Sequence, residues 1–174
     1  MKNISGIIDG TAIAYFLSYK CLISKHLEDV NVIGGPFSPY FVPAITNAAF
    51  SCELALKNII QNEYGKSARG HDLEKLFNQL SLERRLDIVG RTAKLYNSKS
   101  EALYVSDKIT SEKFYVLLKA HKDSFTLWRY FYESSPNMDL DFLEAFMFCL
   151  NEVEEGYIDF IMSQMKWKDI RNYL

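Results

Sequence analysis

The sequence lacks the close pairs of histidine, cysteine or carboxylate that announce a metal site. Its three histidines, His26, His71 and His121, stand whole elements apart, so no metal or cofactor is expected. It also lacks a Walker-type loop, a dinucleotide-binding glycine pattern and a serine elbow. The glycines stand singly or in turns. The three cysteines, Cys21, Cys52 and Cys149, are odd in number and fall inside apolar helical patterns; the expectation is buried free thiols in a reducing compartment. No apolar stretch followed by a small-residue cleavage site stands at the start, and no run approaches the ~20 apolar residues of a membrane span. The chain is therefore expected in the cytoplasm, away from membranes. Internal repeats and low-complexity tracts are absent too.

What is present is ordinary globular composition, 48% hydrophobic and 24% charged. A chain of 174 residues buries roughly 70% of the surface its unfolded form exposes and needs no disulfide to hold a core. Twelve Phe and eleven Tyr are enough to fill helix-bundle layers, with the phenol hydroxyls kept at edges or a cleft. The net charge of −2 gives no global attraction to phosphate, so any nucleic-acid contact must use a local basic patch.

Apolar residues recur at three- and four-residue steps, which predicts helices. Ala12, Phe16, Tyr19, Ile23 and Leu27 mark the first, from Asp9 or Thr11 to about Glu28, and the Gly- and Pro-rich stretch 31–43 reads as a loop. Pro43 suits the first turn of a second helix with a stripe of Ile45, Ala48, Cys52, Ala55 and Ile59. Its other side, Asn47, Ser51, Glu53, Lys57 and Asn58, reads first as a solvated face, with Glu53 and Lys57 in the favourable order for a helical pair.

Gly65 to Gly70 breaks this helix, and Asp72 opens a short one over 72–80. Ser81 reads as the cap of a helix through Leu86, Val89, Ala93 and Tyr96, and Ser111 as the cap of one holding Phe114, Leu117 and Leu118. Residues 98–110 and 124–133 are left open by their pattern. Asp139 caps a last helix with a seam of Leu143, Phe146, Leu150, Val153, Tyr157 and Phe160. The sum is one all-α domain over 1–174.

Two residues invite a chemical role. His71 sits beside Asp72 at a helix start, where a carboxylate can hold its ring and a phosphate can approach; capping or local packing is the more common reason for a histidine at a helix end. Arg129 lies among Trp128, Tyr130 and Tyr132. Its guanidinium can stack on rings, pair with Glu133 or Glu53 as a structural bridge, or bind a phosphate.

The ordered combination of Ser51-x-Glu53-x-x-Leu56-Lys57, Gly70-His71-Asp72-Leu73 and Trp128-Arg129-Tyr130-x-Tyr132-Glu133 resembles the HEPN domain, named for higher eukaryotes and prokaryotes nucleotide-binding. The likeness runs from the first helix to the last. It implies an antiparallel up-and-down bundle of four to five main helices with short additional ones, and a homodimer. The family includes RNases of toxin–antitoxin and phage-defence systems, catalytically silent members, and members paired with a minimal nucleotidyltransferase.

The resemblance also implies a polar cleft that binds a nucleotide, RNA or protein partner, made here by Ser51, Glu53, Lys57, His71, Asp72, Arg129, Tyr130 and Glu133. The family's metal-independent RNases use an arginine separated by four to six residues from a histidine. Arg129 looks like that arginine, yet the positions at that spacing are Ser134, Ser135 and Pro136. The expected function is therefore a binding module. The alternative is a metal-independent RNase with His71 as acid or base and Arg129 on the phosphate.

Overall fold

The computed structural model describes residues 4–33, 38–102, 108–130 and 138–152. Among the described residues it is all helical, with seven helices and no strand. These are α1 (Ile4–Ile33), α2 (Phe41–Tyr64), α3 (Leu73–Phe77), α4 (Leu82–Ala102), α5 (Ser111–Ala120), α6 (Ser124–Arg129) and α7 (Leu140–Asn151). Helix α2 packs against α1, α3, α6 and α7, and α4 packs against α5 and α7. One continuous core draws residues from all seven.

Helix α1 is longer than its apolar pattern predicts at both ends. Its last turns carry Lys25 paired with Glu28 at 2.9 Å and with Asp29 at 3.9 Å, short-range pairs that support a helix beyond Glu28. The buried stripe is Ala12, Phe16, Tyr19, Ile23 and His26, whereas Leu27 is 56% exposed. His26 takes the inner place because its Nδ1 meets the Ser38 hydroxyl at 2.9 Å and its ring lies against Phe41. By length and composition alone, Gly6–Val32 is long and apolar enough to cross a membrane, contrary to the expectation from continuous runs. Few charges interrupt this helix even though no long apolar run occurs in it.

Helix α2 begins at Phe41 with Pro43 in its first turn, where the missing N–H costs nothing. It ends at Gly65, whose φ of 66° lets its N–H close on the Gln61 carbonyl, a left-handed cap that favours glycine. The side expected to face water is largely buried: Ser51 is 0%, Glu53 1% and Asn58 8% exposed. Contacts from α1 and α7 cover Ser51 and Asn58. Ser51 Oγ donates to the Ala12 carbonyl at 2.8 Å and accepts from Asn151 Nδ2, while Asn58 donates to Asp9.

The expected caps hold at Ser81 and Asp139, and Asp72, expected as the first residue of its helix, is its cap; each of the three accepts a backbone N–H in the first turn. At α5 the cap is Thr110 rather than Ser111, since the Thr110 hydroxyl accepts from Lys113. The short element expected over 72–80 is helical only from Leu73 to Phe77. Leu86 of α4 is 60% exposed, and the buried face is Ile88, Val89, Thr92 and Tyr96 instead.

Of the two undecided stretches, 98–102 continues α4 and 124–129 is α6. Residues 103–107, Tyr132, Glu133, Val153, Tyr157 and Phe160 lie outside the described residues. In α7 every residue from Phe142 to Leu150 except Glu144 is buried, as suits a helix apolar on nearly all sides. Phe142, Phe146, Phe114 and Phe77 meet there with centroids 5.4 to 6.0 Å apart. Burying each such ring contributes about 1.5–3 kcal/mol.

Candidate functional site

Helix α2 places Glu53 on its side opposite Ser51, two residues and thus roughly 200° away. The carboxylate is 1% exposed. It accepts from Lys57 Nζ at 2.7 Å and faces His71 Nδ1 with both oxygens, at 3.0 and 2.9 Å. A buried carboxylate needs such partners to offset its lost hydration. The predicted Glu53–Lys57 pair is present, although at a buried face.

His71 arrives from the turn before α3. Gly70 has a φ of 92°, a conformation open to glycine at little cost, and the next N–H of the turn to be held is that of Leu73, which donates to the Lys122 carbonyl at 2.8 Å. That bond ties the start of α3 to the turn before α6. The His71 side chain remains 55% exposed. The carboxylate that holds it is Glu53 and not its neighbour Asp72, which caps α3 and meets Lys75 Nζ at 3.3 Å.

Helix α6 brings the second half. The Phe125 ring lies 5.5 Å from the His71 ring and stacks on Phe50 at 4.4 Å. Arg129, one turn after Phe125, sets its guanidinium carbon 4.3 Å from the Phe125 centroid and 5.6 Å from that of Tyr130. Arg129 is exposed and makes no ion pair among the described residues. The structural bridge to Glu53 is therefore replaced by ring stacking, because Glu53 is already committed to Lys57 and His71.

The structure thus joins Lys57, Glu53, His71, Arg129 and Tyr130 through Phe125. It leaves Ser51 on the other side of α2 and Asp72 in a capping role, and Glu133 lies outside the described residues. Sequence reasoning missed Phe125, because its place four residues before Arg129 is a signal only once 124–129 is known to be helical, and Phe50 comes from another element and carries no local signal. Among the described residues no group of three or more histidine, cysteine or acidic side chains is arranged to hold a metal ion. The arrangement can orient an imidazole, and it can present a planar cation beside it. Comparison of the chain with known family models, with characterised proteins and with solved structures finds no match.

Proposed function

We propose that this chain is a HEPN-like antiparallel, up-and-down helical module, homodimeric and cytoplasmic, that binds a nucleotide, an RNA or a protein partner at the face formed by Glu53, Lys57, His71 and Arg129. The observation that carries the reading is the Glu53–His71 contact of 2.9 Å between a buried carboxylate and an exposed ring. A carboxylate bound at Nδ1 fixes the ring and leaves Nε2 as the nitrogen available to a ligand. The surrounding segments add Lys66, Arg69, Lys75 and Lys122 against Asp72, Glu74 and Asp123. Their local basic surplus favours phosphate in a chain that is acidic overall. Membership in a toxin–antitoxin or phage-defence system, with a nucleotidyltransferase-type partner protein, follows from the resemblance.

The same contact favours a second reading, a metal-independent RNase. Cleavage by 2′-hydroxyl attack needs a proton acceptor and a positive charge near the phosphate. In that reading His71, positioned by Glu53, takes the proton of the 2′-hydroxyl as its oxygen bonds to phosphorus and returns it to the 5′-oxygen as the bond from phosphorus to that oxygen breaks, while Arg129 meets the phosphate. The test is incubation of purified protein in chelator with a mixed panel of labelled RNAs, beside His71→Ala and Arg129→Ala variants checked by circular dichroism. Binding without cleavage is the expected result for the module. Cleavage lost in both variants moves the protein to the RNase, and absence of both binding and cleavage overturns the RNA and nucleotide readings together.

A further inference from the structure

Phe50, Phe125 and Arg129 form one column. The two rings are 17° from parallel with centroids 4.4 Å apart, and the guanidinium carbon sits 4.3 Å from the Phe125 centroid. Tyr15 of α1 closes the inner end, edge-on to Phe50 at 4.6 Å and 76°. At the outer end Arg129 is exposed and Tyr130, 5.6 Å from its guanidinium carbon, is 45% exposed. The column therefore begins in the packed α1–α2 interface and ends in solvent, beside His71.

A guanidinium is planar, delocalised and weakly hydrated, and it stacks on aromatic faces and on nucleobases alike. Here the guanidinium carbon is held over the Phe125 ring at 4.3 Å, so part of the ordering cost of a stacked ligand is met before the ligand arrives. No carboxylate among the described residues claims its charge. His71 lies against the same Phe125 ring, at 5.5 Å, and Lys57 reaches the carboxylate that holds His71. Stacking surface and anion-binding groups are thus neighbours across one ring.

We propose that the exposed end of this column, Arg129 with Tyr130, is a stacking platform for one unpaired nucleobase, whose attached phosphate is met by His71 and Lys57. The inference rests on the nucleotide-binding reading above and assigns Arg129 to the base instead of the phosphate. Because every base offers a π face, the platform tolerates all four bases. A base inside a duplex has both faces covered, so the ligand is a mononucleotide or a single strand.

The test is a fluorescence-anisotropy titration of the full chain with a labelled single-stranded oligoadenylate of eight nucleotides and with an abasic strand of equal length. Arg129→Trp keeps a flat stacking surface without charge, and Arg129→Lys keeps charge without the plane. The expected result is oligoadenylate binding to Arg129→Trp within about threefold of the parent, a loss of about tenfold or more in Arg129→Lys, and a similar loss for the abasic strand on the parent. Tyr130→Ala, a change at an exposed side chain, supplies a second variant and should weaken the oligoadenylate while sparing the abasic strand. Adenosine monophosphate as competitor distinguishes the two sources: displacement shows that one nucleotide suffices, and its failure at concentrations far above that of the strand assigns the platform to a strand. Full affinity in Arg129→Lys with loss in Arg129→Trp makes Arg129 a phosphate contact and overturns the platform, while nucleotide binding stands. Equal affinity for abasic and adenylate strands overturns it as well. If the parent protein binds neither the strand nor the mononucleotide, the platform and the nucleotide-binding reading fall together.

Discussion

The backbone N–H of Asp139 donates to Nε2 of His121 across 3.0 Å, and Nδ1 of the same ring donates to the Leu117 carbonyl at 2.8 Å. Both nitrogens are committed, one as acceptor and one as donor, so the ring is held as the neutral tautomer with its proton on Nδ1. The ring is 2% exposed and packs against Phe142. It joins the end of α5 to the start of α7, where the Asp139 carboxylate also receives the Tyr96 hydroxyl from α4 at 3.0 Å.

That relationship predicts a pH dependence of stability. Burial pushes the His121 pKa below the ordinary 6.5 and outweighs the opposing pull of the Leu117 carbonyl and of Asp139. The unfolded chain therefore binds this proton more readily than the folded one. The stability that the neutral ring contributes is full above about pH 6.5 and is lost as the pH falls below that value toward the depressed folded pKa. Glutamine can donate and accept at one end without titrating over this range. Denaturant unfolding at a series of pH values should show a shallower loss between pH 6.5 and 5 in His121→Gln than in the parent; parallel curves would rule His121 out as the titrating group.

Glu53 and His71 should separate when stability is measured. Glu53 is buried and holds two partners, so Glu53→Ala removes a buried carboxylate and strands Lys57, whose side chain is only 18% exposed. A loss of about 3 kcal/mol is expected, the lower end for breaking a buried pair, because Lys57 retains some contact with water. His71 is more than half exposed, and His71→Ala should cost under about 1 kcal/mol. Equal losses in urea unfolding of the two variants would show that His71 is part of the scaffold and not a group presented by it.

The caps at Ser81 and Asp139 and most of the helical periods were readable from the chain because they are local. Ser81 and Asp139 each bond an N–H three residues on, and Gly65 ends α2 by its own backbone freedom. The polar side of α2 was not readable in this way. Asn47, Ser51, Glu53, Lys57 and Asn58 have the composition of a solvated face, and only the arrival of α1, α7 and the His71 turn buries three of them. Leu27 and Leu86 fail in the opposite sense, since they fit an inward stripe that His26 and Ile88 occupy. In the candidate site, Glu53–Lys57 is an intrahelical spacing and was visible, while Glu53–His71 and Phe50–Phe125 join separate elements and required the fold.

Two glycines give opposite expectations. Gly90 lies in α4, exposed, and a Cβ added there meets nothing within 4 Å. Gly90→Ala should therefore stabilise by about 0.5–1 kcal/mol, by removing backbone freedom from the unfolded chain. Gly65 has equal space but a φ of +66°. Gly65→Ala should destabilise by about 1 kcal/mol, the order of cost of a left-handed conformation for an ordinary residue. Thermal unfolding of both variants checks the pair, and two shifts of the same sign would contradict the helix end assigned at Gly65.

The thiols should react in an order set by burial. All three cysteines are free, with Cys52 and Cys149 buried and Cys21 half-buried on α1. Burial raises all three thiol pKa values, most strongly that of Cys52, which sits wholly inside the core, while Thr92 and Arg91 partly offset the rise at Cys149. The thiolate is the reacting species, so a native sample near neutral pH should react slowly with an aromatic disulfide reagent, and Cys21 should react first. Cys52 can react only as fast as α2 opens from α1 and α7, which makes its rate a measure of core opening. Mass mapping of the labelled sites checks this order. Early labelling of Cys52 would show that α1 leaves α2 without global unfolding, and the Ser51 and Asn58 contacts that bury the polar side of α2 would then be the weak seam of the bundle.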